Sequence, residues 1–268
     1  MFASLAPARR RLALGGLSVL LVAVLVAALL GVLNRGGGLR SKPVAQDVAG
    51  PVLLVPGYGG STTGLNTLAD RLRARGKDVT VLSLPDSAQG DLAEQAKVVD
   101  QVARAALGRT GAPSVDLVGY SAGGVVARIW LKQDGGATIA RRVITLGSPQ
   151  HGTELAALGS LLASICPLAC QQLVPGSPVL RALNAAPEVP AGPELVSFWT
   201  SKDQVVLPPD SAELAGATNI EIQSVCANSD VGHGDLPTDP LVAAMVADEL
   251  SGSGPVHLTA ADCARLSA

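Results

Sequence analysis

Gly119-Tyr120-Ser121-Ala122-Gly123-Gly124 sets one hydroxyl among small residues, directly after an apolar run and just before a helical pattern. A serine placed so can serve as an acyl-transfer nucleophile. A strand that turns sharply into a helix lifts the Ser121 hydroxyl clear of the sheet edge, and glycines at 119 and 123 keep side chains out of the turn. The helix that follows points its first amides at the same spot, where they favour negative charge. The competing reading is a glycine-rich turn with an idle serine, and the motif alone does not separate the two.

A serine hydroxyl needs a base, and the chain offers three histidines. His233, in Val231-Gly232-His233-Gly234-Asp235, falls late in the chain between the last strand-like run and the last helical one. That is where the order nucleophile, acid, histidine puts the base. His151, in Ser148-Pro149-Gln150-His151-Gly152, is expected to shape the floor of the site, and His257 to lie on the surface. Asp203 follows the run ending at Trp199 and is the candidate acid, which would fix the imidazole tautomer and stabilise the imidazolium. Asp210 and Glu213 are alternatives farther from that run, and a turn or cap role is the competing reading of Asp203. An oxyanion needs two preorganised donors. The amide of Ala122 is one candidate, and Tyr58, in the flexible stretch Gly57-Tyr58-Gly59-Gly60, is the other.

Elements that could bring these residues together alternate along the chain. Apolar strand-like runs cover 51–55, 78–84, 114–118, 142–146, 194–199 and 218–222, and helical patterns cover 63–76, 92–107, 122–133 and 240–250. Alternation of this kind predicts an α/β fold, a mostly parallel sheet of about six strands with helices on both faces. In such sheets, sites form at the carboxyl ends of the strands, where Tyr58, Ser121, His151 and Asp203 all fall. Between 152 and 193 the alternation lapses, and Glu154 is the only charge from Gly152 through Leu180. Such a segment is either a lid or binding wall or a helical insertion that packs on the domain.

The first 40 residues carry five arginines and no acids, leaving 15 basic against 22 acidic groups in the rest, a net of −7. That balance, with no basic stripe, argues against a nucleic-acid partner. Arg9, Arg10 and Arg11 precede an uncharged run from Leu12 to Leu33, 22 residues or about 33 Å as a helix. Residues 1–33 thus read as a single-pass membrane anchor with the N-terminus inside, or as a cleaved signal segment, and 34–50 as a flexible linker. Both readings put the 51–268 domain outside the cytoplasm. Cys166, Cys170, Cys226 and Cys263 allow three pairings. The expectation is Cys166–Cys170 as a local loop and Cys226–Cys263 holding the tail, with buried free thiols as the alternative. No metal-ligand spacing and no cofactor motif is evident.

Val55-Pro-Gly-Tyr-Gly-Gly60, Gly119-Tyr-Ser-Ala-Gly-Gly124, Thr145-Leu-Gly-Ser-Pro-Gln-His-Gly-Thr153, Cys170-Gln-Gln-Leu-Val-Pro-Gly-Ser177 and Gly232-His233 together resemble the α/β-hydrolase superfamily. Within it they are similar to small secreted actinobacterial triacylglycerol-lipase and esterase-like proteins. The resemblance spans about residues 51–250. It implies a carboxylic ester hydrolase acting on acylglycerols or other lipid esters, with Ser121, Asp203 and His233 as triad and Tyr58 and Ala122 as oxyanion amides. Where that family usually has His-Gly, this chain has Pro56-Gly57. Acyl transfer to an alcohol by the same triad, or a catalytically silent binding protein of the same fold, are the alternative functions.

Overall fold

A computed structural model describes residues 44–161, 166–252, 254 and 256–267. The apolar run 12–33 and the linker up to residue 43 lie outside the described residues. Among the described residues, no helix is long and apolar enough to cross a membrane.

Six strands form one sheet: β1 (Val52–Val55), β2 (Val79–Val81), β3 (Val115–Tyr120), β4 (Ala140–Leu146), β5 (Glu194–Trp199) and β6 (Thr218–Glu221). All pairings are parallel, in the order β2-β1-β3-β4-β5-β6. Continuous apolar runs make these strands because both faces are covered. Successive side chains point to opposite faces. Leu53, Val55, Leu117, Val143 and Leu195 therefore pack in one layer with α2 (Leu92–Thr110) and α3 (Ala122–Gln133). Val52, Leu54, Val118, Ile144, Val196 and Phe198 pack in the other with α1 (Thr63–Ala74) and α8 (Pro240–Ser251).

The chain begins mid-sheet, steps out to β2, then crosses back to β3 on the far side of β1. Between β1 and β3 the winding direction reverses. Loops leaving these two strands part to opposite faces and open a crevice at their carboxyl ends.

Several element boundaries differ from the sequence expectation: β2 ends at Val81 rather than 84 and α1 at Ala74 rather than 76, while β3 runs on to Tyr120. β4 starts at Ala140 rather than 142, taking in Arg141 ahead of Arg142. Both arginines are buried. Arg141 makes a two-pronged pair with Asp116 at 2.8 and 2.7 Å, and Arg142 reaches Glu194 at 2.8 Å. α2 runs to Thr110, where Gly111 in the left-handed region (φ 69°) ends it.

The described part of 152–193 contains three short helices, α4 (Glu154–Ser160), α5 (Leu168–Gln172) and α6 (Pro178–Leu183). Buried Arg128 on α3 ties this insertion down, donating to Leu183 O at 3.0 Å and to Asn184 Oδ1 at 2.9 Å. Cys166 is bonded to Cys170 within the insertion. Cys226, after the short helix α7 (Ile222–Val225), is bonded to Cys263 at the start of α9 (Cys263–Leu266).

Candidate active site

The turn from β3 into α3 carries Ser121 with φ 53° and ψ −128°, a conformation costly for a side-chain-bearing residue, on the order of 1–3 kcal/mol. Packing enforces it. A Cβ on Gly119 would lie 2.6 Å from the Gly124 backbone, and one on Gly123 would lie 2.3 Å from the Val55 carbonyl oxygen. Only bare backbone lets α3 start this close to β1 and β3. The Ser121 amide donates to Leu146 O at 2.9 Å, and the Gly124 amide donates to Ser121 O at 3.0 Å.

Ser121 Oγ lies 3.0 Å from His233 Nε2, and His233 Nδ1 lies 2.7 Å from Asp203 Oδ2. His233 and Asp203 are both buried. The other carboxylate oxygen of Asp203 accepts from the amides of Val205 and Val206, each at 2.8 Å, so its orientation is set by its own turn. The proton on His233 is then assigned to Nδ1, facing the carboxylate, which leaves Nε2 free to accept from the hydroxyl.

Several residues that sequence reasoning missed hold this arrangement. Thr200 Oγ1 donates to Val231 O at 2.6 Å, clamping the acid turn to the histidine loop. Tyr120 Oη donates to His233 O at 3.1 Å. Burial, then the nearby charges of Asp203 and Asp235, pushes the Tyr120 phenol up to about 12, so it stays a donor. Gly147, at the end of β4 with φ 53°, faces the pair directly. A Cβ there would sit 3.2 Å from Asp203 Oδ2, 3.3 Å from His233 Nδ1 and 2.5 Å from Leu236 Cδ1. Gly57 is equally constrained, since its Cβ would fall 2.8 Å from that of Ser121. Glycines immediately after strand ends were the one signal in the sequence for these last two.

Ala122 opens α3, so its amide has no partner inside the helix. Among the described residues, neither this amide nor that of Tyr58 is matched with a protein acceptor. Tyr58 sits in a tight turn closed by the Gly60 amide on Gly57 O at 3.0 Å, at the β1 side of the crevice. A cleft of about 470 Å³ opens over Ser121, walled by Tyr58, Pro149, Leu155, Ala156, Leu158, Gly159, Cys170, Leu173, Val205 and Val206. Of the residues that line it, only Ser121, Thr153 and Tyr58 carry a hydroxyl.

Other sequence candidates lie elsewhere. His151 turns away from Ser121, with Nδ1 3.2 Å from Ser211 O and Nε2 3.2 Å from Glu188 Oε1. It borders a separate cleft with Asp210 and Glu213, and not the floor of the Ser121 pocket. His257 is exposed. Among the described residues there is no cluster of three or more His, Cys, Asp or Glu able to hold a metal ion.

This fold recurs in solved proteins. Lipase B of Aspergillus fumigatus superposes with a TM-score of 0.71 at 21% identity, covering 85% of this chain, and this chain spans 58% of that one. Mature lipase BlEst2 of Bacillus licheniformis gives 0.63 at 21% identity, covering 78% of this chain and 96% of its own. A pyrethroid hydrolase of Sphingobium faniae JZ-2 gives 0.51 at 17%, covering 76% and 98%. At such identities the likeness is one of fold. No curated protein matches the chain. The model of the family "Lipase (class 2)" matches residues 51–242, a span running from the first strand into the last long helix and including Tyr58, Ser121, Asp203 and His233. The chain belongs to the lipase (class 2) family.

Proposed function

We propose that this protein is a serine carboxylic-ester hydrolase that cleaves lipid esters, acylglycerols among them, through an acyl-enzyme on Ser121. The observation that carries the reading is the continuous hydrogen-bond chain from Ser121 Oγ through His233 to Asp203, at 3.0 and 2.7 Å. Ser121 attacks the ester carbonyl while His233 Nε2 takes its proton. Asp203 stabilises the imidazolium without itself becoming protonated. The negative oxygen of the tetrahedral intermediate is met by the amides of Ala122 and Tyr58, each such donor being worth roughly 10²–10³ in kcat. His233 then protonates the departing alcohol. Water then adds to the acyl carbonyl while His233 takes its proton; the bond from that carbonyl to Ser121 Oγ breaks, His233 returns the proton to Oγ, and the carboxylic acid leaves.

The lipid part of the reading rests on the surroundings of Ser121. Leu155, Leu158, Val205 and Tyr58 line the cleft and are all exposed, as are Leu161 and Leu168 at the ends of α4 and α5. Large apolar side chains gathered at a site mouth lose their contact with water when an acyl chain or lipid surface covers them. Extracytoplasmic placement is supported by the two disulfides, which persist in oxidising compartments. Attachment to a membrane through residues 12–33, or release after cleavage there, is the finer part of this proposal.

The test pairs a fluorophosphonate probe with a chain-length series of p-nitrophenyl esters, applied to the wild type and Ser121→Ala. The wild type is expected to label and to turn over esters, and Ser121→Ala to lose labelling and at least roughly 10⁴ in kcat/KM. Equal labelling of the two proteins would remove Ser121 from the chemistry. With an added alcohol, formation of a new ester in preference to free acid would move the assignment to acyl transfer.

A further inference from the structure

Tyr120 joins the two ends of the reacting pair. Its backbone is bonded to that of Ser121, and its hydroxyl reaches 113 residues along the chain to donate to the carbonyl of His233 at 3.1 Å. Its ring lies 5.3 Å from the imidazole, tilted by 37°. The two residues before this carbonyl are each held by a hydrogen bond. Thr200 holds Val231 O, and the Asp235 carboxylate holds the Gly232 amide at 3.1 Å. The other donor near His233 O is the Leu236 amide, at 3.4 Å and close to the limit for a hydrogen bond. The tyrosine hydroxyl is thus the principal anchor of the residue that carries the base.

We propose that Tyr120 is a positioning residue, whose hydroxyl fixes the reach of His233 Nε2 to Ser121. The role rests on the proposed part of Ser121 and His233 in ester hydrolysis. Without the hydroxyl, the His233 carbonyl keeps only the long contact from the Leu236 amide, at 3.4 Å, and can shift, and displacements near 1 Å in a reacting pair cost up to about 10² in rate.

The test is Tyr120→Phe, which keeps the ring and removes the donor, with turnover expressed per site titrated by the fluorophosphonate probe, so that misfolded protein does not count. It is expected to lower kcat about tenfold with KM changed less than twofold. A merely structural role would lower the number of titratable sites and leave kcat per site unchanged. Wild-type kcat per titrated site in Tyr120→Phe overturns the proposal. A wild type that neither labels nor turns over any ester removes the functional reading itself, and this role with it.

Discussion

At the scale of single residues, the decisive feature is that each polar group near Ser121 has one partner it must face. Asp203 is the clearest case. One carboxylate oxygen is committed to two backbone amides and the other to His233. Asp203→Asn keeps the shape but gives the imidazole no anion to face. If the amide nitrogen turns toward His233, it also stabilises the wrong tautomer, with the proton on Nε2. We expect kcat to fall by about 10⁴ with little change in KM, measured on a soluble p-nitrophenyl ester. A drop of less than tenfold would mean that another carboxylate does this work. Ser121 and His233 were legible in the sequence because the elbow demands small neighbours and the chain has only three histidines. Tyr120, Thr200 and Gly147 were not. Their importance lies in contacts across 31 to 113 residues of sequence, or in space that must stay empty, and neither leaves a local pattern.

The elements show the same division. Strands β1, β3 and β5 were readable because burial on both faces forces long apolar runs. The start of β4 was not, because Arg141 reads as solvated until Asp116 is placed beside it. The insertion was readable as apolar, but its three short helices are held by tertiary contacts such as Arg128 on Leu183 O, which no periodicity encodes. The junction of β1, β3 and α3 is where the elements make the site, and it has a direct test. Gly123→Ala drives a methyl into the carbonyl oxygens of Val55 and Pro56, at 2.3 and 2.6 Å. Either α3 moves away from β1 or the loop bearing Tyr58 does. We expect a stability loss of roughly 1–3 kcal/mol or more in chemical denaturation. Loss of activity per folded molecule should accompany it, because the amides of Ala122 and Tyr58, proposed above as the oxyanion donors, border this contact. Gly108→Ala on α2, where nothing lies within 4 Å of the new methyl, is the matched comparison. It should gain about 0.5–1 kcal/mol from helix propensity and leave activity alone. Equal behaviour of the two variants would show that the close approach at Gly123 carries no constraint.

For the whole molecule, the sheet has a chemical end and a structural end. The carboxyl ends of the strands carry the reactive residues, and the opposite end buries an ionic cluster. There Arg141 pairs with Asp116 and also donates to the carbonyls of Leu250 and Gly252, which ties α8 to β4. Arg142 lies between Glu194 and Glu249. Burial pushes the Glu249 carboxyl up from 4.5 to about 7, against the pull of the Val256 amide and Arg142. Between those two values the folded protein holds the proton and the unfolded chain does not. Stability from this group is therefore full below about pH 4.5, declines as pH rises to about 7, and is level above that. The total is on the order of 3 kcal/mol if the whole shift is expressed. Glu249→Gln keeps a carbonyl oxygen for the Val256 amide and leaves Glu194 as the partner of Arg142. We expect the variant and the wild type to unfold alike near pH 4.5, and the variant to be the more stable by roughly 1–3 kcal/mol at pH 8, in urea titrations at both pH values. The expected sign matters more than its size. A variant less stable than the wild type at pH 8 would mean that attraction to Arg142 outweighs desolvation, and that this end of the sheet is held by a fully charged triad. Either result is separable from catalysis, because Glu249 lies at the end of the strands away from Ser121, and activity per folded molecule should not change.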